Sequence, residues 1–177
     1  MSGKRNLVLF IATSLDGYIA APDESLEWLY QIEGEGDNGF SEFYQTVDTI
    51  LMGKRTYDWI IKQQLEQFPY QNKRCYVFTR SDMENNEDVI FVNEDVTEFT
   101  NKLKREDGKN IWIVGGGELL HSFIEKKLVD EMIITVAPVI LGQGIPLFRK
   151  GNQQLKLLLK NERTFHQFVE LHYEVKK

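Results

Sequence analysis

The sequence predicts an α/β fold: a central, mostly parallel sheet with helices on both faces, finished by a C-terminal antiparallel hairpin. Three observations carry this expectation. Continuous apolar runs of strand length alternate with segments of helical period along most of the 177 residues. Two of those runs pass straight into glycine and then into a helix-forming stretch, at Met52-Gly53 and at the triple glycine of IWIVGGGELL (111–120). The tail reads as two consecutive strands with no helix between them.

Taken in order, LVLFIAT (7–13) is a buried strand. The alternative is a leader peptide, but the apolar run is short and soon broken by Ser14, Asp16 and Gly17. A loop spans 14–30, with Asp16-Gly17 and Pro22-Asp23 as turn signals and a helical piece around Leu26 to Tyr30. EGEGDNG (33–39) is a solvated turn, and 39–46 a short helix carrying Phe40, Phe43 and Tyr44. TILM (49–52) is a strand, followed by a helix from Lys54 to Ile61. RCYVFT (74–79) and DVIFV (88–92) are strands, and Thr97 to Arg105 is a helix started by the Asp95 or Thr97 side chain. NIWIV (110–114) is a strand, Glu118 to Lys126 a helix and MIITVAPVI (132–140) a strand. The last two strands, 155–161 and 166–176, are expected to join around Asn161-Glu162.

With no repeat and no low-complexity linker, a chain of this length is most simply one domain, 1–177, large enough to bury a core. Trp28, Trp59 and Trp112 are expected in that core, Trp28 alone also being placed in a loop where it could line a substrate site. The net charge of −6 argues against a nucleic-acid partner. Cys75 is the only cysteine, which rules out an internal disulfide and fits a reducing, cytoplasmic setting. No stretch approaches the length needed to span a bilayer. His121, His166 and His172 are scattered and, beside one cysteine, make no metal site.

In a parallel sheet ligands sit beyond the carboxyl ends of the strands. The junctions to search are therefore 13–18, 53–56, 79–81 and 115–118. Gly53 and the triple glycine each open a helix, whose free N–H groups and positive dipole end favour a phosphate. Lys54, Arg55 and Arg80 add cations; Thr56 and Ser81 add hydroxyl donors. Two such termini flanked by basic residues suit a dinucleotide. GGGELL is nevertheless not G-x-G-x-x-G, and Gly53-Lys54 lacks the upstream glycine of an NTPase loop.

MGKRTY (52–57), IWIV running into GGG (111–117), the opening strand with its SLDGYIA loop (14–20) and above all VAPVILGQGIPLF (136–148) resemble the dihydrofolate reductase fold. Within that fold they are most similar to the bacterial branch grouped with the reductase domain of riboflavin biosynthesis. The resemblance covers nearly the whole chain and keeps the motif order. It implies NADPH phosphates held by Gly53, Lys54, Arg55 and Thr56, and an adenosine 2′-phosphate held by Thr79, Arg80 and Ser81. It implies cofactor contact along Gly115, Gly116, Gly117, Glu118 and Leu119, with a cis peptide joining Gly115 to Gly116. Ala12 and Ile19 match positions flanking the nicotinamide, and Ser14, Trp28 and Thr135 fall on the substrate side.

Two catalytic acids are expected, Asp16 in the leading loop and Asp37, reached by counting back from Gly53; Glu42 is a further candidate. Asp37 reads equally well as a helix cap and Asp16 as a turn residue. The Leu-Pro-x-Asp context of folate-reducing members is absent, which leaves the substrate open. The implied activity is transfer of a hydride from NADPH to a small pterin- or pyrimidine-like heterocycle, as in 5-amino-6-(5-phosphoribosylamino)uracil or dihydrofolate reduction, by a homodimer. The rival expectation is a non-catalytic nucleotide-binding or sensing protein that keeps the cofactor site. A flavin or nucleoside-phosphate binder is a third.

Overall fold

The computed structural model describes residues 3–151 and 154–177. The first strand, β1 (Leu7–Ser14), is apolar on both faces: Leu7 and Leu9 point one way, Val8 and Phe10 the other. A strand of that kind has to be covered on both sides, and the remaining elements do so. In chain order they are β2 (Tyr18–Ala20), α1 (Glu27–Tyr30), α2 (Phe40–Tyr44), β3 (Val47–Gly53), α3 (Lys54–Lys62), β4 (Arg74–Phe78), β5 (Ile90–Val92), α4 (Val96–Arg105), β6 (Asn110–Gly115), α5 (Gly117–Glu125), β7 (Glu131–Ala137), β8 (Ile145–Pro146), β9 (Leu157–Phe165) and β10 (Phe168–Val175). The eight-stranded sheet runs β5-β4-β3-β6-β1-β7-β10-β9, and β2 and β8 form a separate two-stranded sheet. Pairs from β5 to β7 are parallel; β10 is antiparallel to both its neighbours.

On one face α4 and α5 bring Phe99, Leu103, Leu120 and Phe123 onto Leu7, Leu9, Ile111 and Ile113. On the other, α2 and α3 bring Phe43 and Ile60 onto Val8, Ile50, Met52 and Trp112. Trp112 sits among Phe10, Phe40, Phe43, Tyr44 and Tyr70, and its indole N–H donates to the Phe10 carbonyl at 3.1 Å, which makes burial of the ring affordable. Trp28 and Trp59 are only half-buried, so the core holds one tryptophan and not three.

Two boundaries differ from expectation in ways that change the sheet; others shift by a few residues, as where the strand expected over 88–92 begins at Ile90. Asn161 and Glu162 do not turn the terminal hairpin; they lie inside β9, paired with His172 and Leu171. The turn falls at His166-Gln167, where His166 takes a left-handed φ of 53° and the ladder resumes at Phe165–Phe168. The strand expected over 132–140 stops at Ala137, because Pro138 has no N–H to donate to a ladder.

α2 has five residues and covers little of the sheet. Beyond it the face made by β7, β10 and β9 lies partly bare, and polar side chains stand on it.

Candidate functional site

Where a strand meets a helix at glycine, no side chain intrudes. β3 ends at Gly53, which is the N-cap of α3; β6 ends at Gly115, and Gly116 is the N-cap of α5. Neither helix has a capping side chain, so the first N–H groups of both stay available. α4 is the internal contrast: the Asp95 side chain accepts from Thr97 N and Glu98 N at 2.9 and 3.1 Å. The two uncapped turns lie against each other. A methyl group added at Gly116 would stand 3.2 Å from Thr56 Oγ1, and one at Gly53 would stand 3.9 Å from Gly116 N. The Gly115–Gly116 peptide is cis, as the resemblance implies, and Gly115 has a φ of 136°, open to glycine and strained for other residues.

Together the turns wall a cleft of about 650 Å³. Gly53, Lys54, Arg55, Thr79, Arg80, Ser81, Gly116, Glu118 and Leu119 line it, so most of the expected cofactor residues converge. Thr56 and Gly117 sit just behind: Thr56 against Gly116, Gly117 against the Pro146 carbonyl. Asp58, Asn93, Glu94 and Ser122 also line the cleft and were not expected. Asn93 and Glu94 follow β5, so the same strand-end rule, applied to one more strand, reaches them.

The cations of the cleft are held loosely. Lys54 is paired with Asp58 one turn along α3. Arg55 is 82% exposed and meets Glu24 of the leading loop at 2.6 Å. Exposed pairs of this kind are worth about 0–1 kcal/mol, less than the roughly 1.5–3 kcal/mol of a hydrogen bond to a charged group, so an incoming phosphate can displace them. Arg80 is exposed and makes no ion pair among the described residues.

Away from the phosphate end, β1 and β6 part. Their ladder stops at Leu9–Ile113, whereas β1 stays paired with β7 as far as Ser14–Ala137. Ala12 lies on the parted stretch, with Thr135 beside it across β7, and Ile19 lies on β2. Ser14 is buried; its hydroxyl donates to Asp16 and accepts from Tyr18 N. Trp28 donates its indole N–H to the Ser25 carbonyl at 3.2 Å, which anchors α1.

Neither expected acid faces the phosphate end. Asp16 accepts from Ser14 Oγ at 2.6 Å, Leu141 N at 3.1 Å and Gly142 N at 2.8 Å. These bonds, the one from Ser14 foremost, hold its carboxyl below the usual range. Asp16 thus fastens the leading loop to 141–142 as an ionised acceptor. Asp37 accepts from the backbone and hydroxyl of Ser41, at the first turn of α2, and is lowered for that reason. Glu42 turns outward to Arg163 at 2.9 Å.

A parallel sheet with a C-terminal hairpin and two uncapped helix termini in one cleft defines a dihydrofolate reductase-like α/β protein. The chain belongs to the RibD C-terminal domain family, whose sequence model matches residues 5–169. It is 53% identical over 171 residues to the uncharacterized protein YwjB of Bacillus subtilis, covering 96% of this chain and 98% of that one. The crystal structure of a protein from Shewanella sp. PV-4 named for riboflavin biosynthesis superposes with a TM-score of 0.88 at 28% identity, over 97% and 99% of the two chains. Dihydrofolate reductase from Enterococcus faecalis, solved with NADP(H), shares the fold at a TM-score of 0.66 and 14% identity, with both chains covered in full. Among the described residues no helix is long and apolar enough to cross a membrane.

Proposed function

We propose that the protein is an NADPH-dependent reductase acting on a small pterin- or pyrimidine-like heterocycle, as a cytoplasmic homodimer. The observation that carries the reading is the meeting of two uncapped helix N-termini in one cleft with Arg80 and Ser81 on its wall. That arrangement fits a dinucleotide: the N–H groups of α3 and α5 receive a pyrophosphate, while Thr79, Arg80 and Ser81 take the extra phosphate that distinguishes NADPH from NADH. Gly116 keeps the wall free of side chains where the two turns touch. When bound, NADPH supplies the hydride. The chain's own share is to hold the carrier, to offer the parted end of β1 and β6 beside Ala12 and Thr135 for the reacting rings, and to shield them with the loop that Asp16 fastens.

Thermal unfolding with NADPH, NADH and FMN tests this reading. A hundredfold excess over Kd adds about 2.7 kcal/mol to a protein that binds only when folded. For a domain of this size that is roughly 5–10 °C in Tm. NADPH is expected to give the largest shift, and its oxidation should follow when a pterin or aminopyrimidine is added. No shift with NADPH withdraws the reading. The second reading, a nucleotide-binding sensor without chemistry, is favoured by one observation: Asp16 and Asp37 are both committed as hydrogen-bond acceptors. NADPH binding without turnover across the substrate panel selects it.

A further inference from the structure

We infer that the sheet face left bare beyond α2 is a second binding site, for a small planar cation that donates N–H groups, of amidinium or guanidinium type. A cavity of about 250 Å³ lies there, and it shares no lining residue with the cofactor cleft. It extends from the starts of the strands, at Val8, Asn110 and Glu131, to Glu170, the ladder partner of Thr135, whereas the cofactor cleft lies beyond the ends of β3 to β6.

Glu170 decides the chemistry. It lines the cavity, yet is only 4% exposed. Arg163 Nε donates to its Oε1 at 2.8 Å; its Oε2 is buried and has no hydrogen-bond partner. A buried carboxylate oxygen needs a donor, and none of the described residues supplies one. The surrounding charge says what kind of donor is welcome. Glu42, Glu131 and Glu170 line the cavity against a single guanidinium, Arg163, which is already held between Glu42 and Glu170. His172 is matched with Glu131 at 3.1 Å. Among the described residues that line it, no cation is left for an anionic ligand, and the field favours a positive one.

One wall favours an apolar body on that cation. Phe10 and Phe43, packed against each other at 4.1 Å, make it together with Val8 and Ile133. The volume is below the roughly 300–1,000 Å³ of pockets for drug-sized molecules, which points to a single ring or a side-chain-sized group.

The inference is independent of the reductase reading, and its test uses protein free of nicotinamide nucleotide. Isotope-labelled protein is titrated with benzamidinium, benzyl alcohol and benzoate, and backbone amide shifts are followed. Benzamidinium should move the amides of Phe43, Ile133 and Glu170 saturably, with the neutral and anionic analogues at least about tenfold weaker. Glu170→Gln keeps the shape and should weaken benzamidinium by about tenfold. If that variant does not fold, Ile133→Phe, which fills the cavity from its apolar wall, should abolish the shifts instead. Equal binding of benzoate or benzyl alcohol overturns the inference. So do wild-type affinity in a folded variant, shifts confined to 53–55 and 79–81, or no saturable shift at all.

Discussion

Asp16 shows how one carboxylate can be claimed for chemistry or for architecture. Two of its three bonds reach from the loop after β1 to the backbone at 141–142, 125 and 126 residues away; the third is local, from Ser14. A carboxyl whose folded pKa is depressed contributes stability above its unfolded pKa and loses it as the pH falls through the folded value. Wild-type Tm should therefore fall on acidification below the ordinary carboxylate range, and Asp16→Asn should remove part of that dependence. The same variant should lower Tm at neutral pH and speed hydrogen exchange at Leu141 and Gly142. A loss of turnover with unchanged Tm and exchange would instead make Asp16 the proton donor. Cys75 gives a simpler case: burial pushes its thiol up to about 12, so almost no thiolate exists near neutrality. Cys75 packs in the core with Ile50, Met52 and Val77, so native protein should resist iodoacetamide and label only with denaturant; rapid labelling of the folded protein would contradict that burial.

Helices α3 and α5 differ from α4 in one respect, the missing cap, and that difference is open to direct manipulation. Gly53 has an extended backbone, φ −82° and ψ 159°, and a Cβ there meets only ordinary contacts. Gly53→Asp can therefore cap α3 without strain. It should leave stability unchanged or raise it by a few tenths of a kcal/mol, with Tm no lower than wild type, while its charge faces any bound phosphate. NADPH affinity should fall by at least about tenfold, the scale of one lost charge-assisted hydrogen bond. Unchanged affinity, measured by titration calorimetry, would remove the α3 terminus from the site.

The strand ends that build this cleft were legible because apolar runs ending in glycine mark both the element and its junction. The hairpin turn was not: Asn161-Glu162 has turn-like composition, but its neighbours Lys160 and Arg163 have partners in Glu174 and Glu170 on β10, and the ladder overrides local preference. The cavity beyond α2 was equally hidden. It depends on how short α2 is and on which face Glu170, His172 and Arg163 share, and the misplaced turn had put Arg163 outside the strands.

At the scale of the whole molecule, the sheet has an unfinished side. β9 is its last strand, nine residues long, and Leu157, Leu158 and Leu159 are exposed by 38%, 48% and 51%. Edge strands usually guard themselves with charge, proline or brevity. Lys160, Glu162 and Arg163 guard one half of β9; the leucine half has no such protection. A second copy of the chain is the occupant that the proposed homodimer supplies, and it would cover these leucines. Sedimentation at micromolar concentration should give twice the 20.7 kDa of the monomer. Leu158→Lys with Leu159→Glu should return the monomer with an unchanged circular dichroism spectrum. The strand order adds a sharper consequence. β9 and β5 are opposite edges, and the cofactor cleft lies among β3, β4, β5 and β6. Dimerisation through β9 leaves that cleft open, so the monomeric variant should keep the full NADPH shift in Tm. Loss of both properties together would mean that the partner copy completes the cleft; a wild-type protein monomeric at every concentration would remove the dimer altogether.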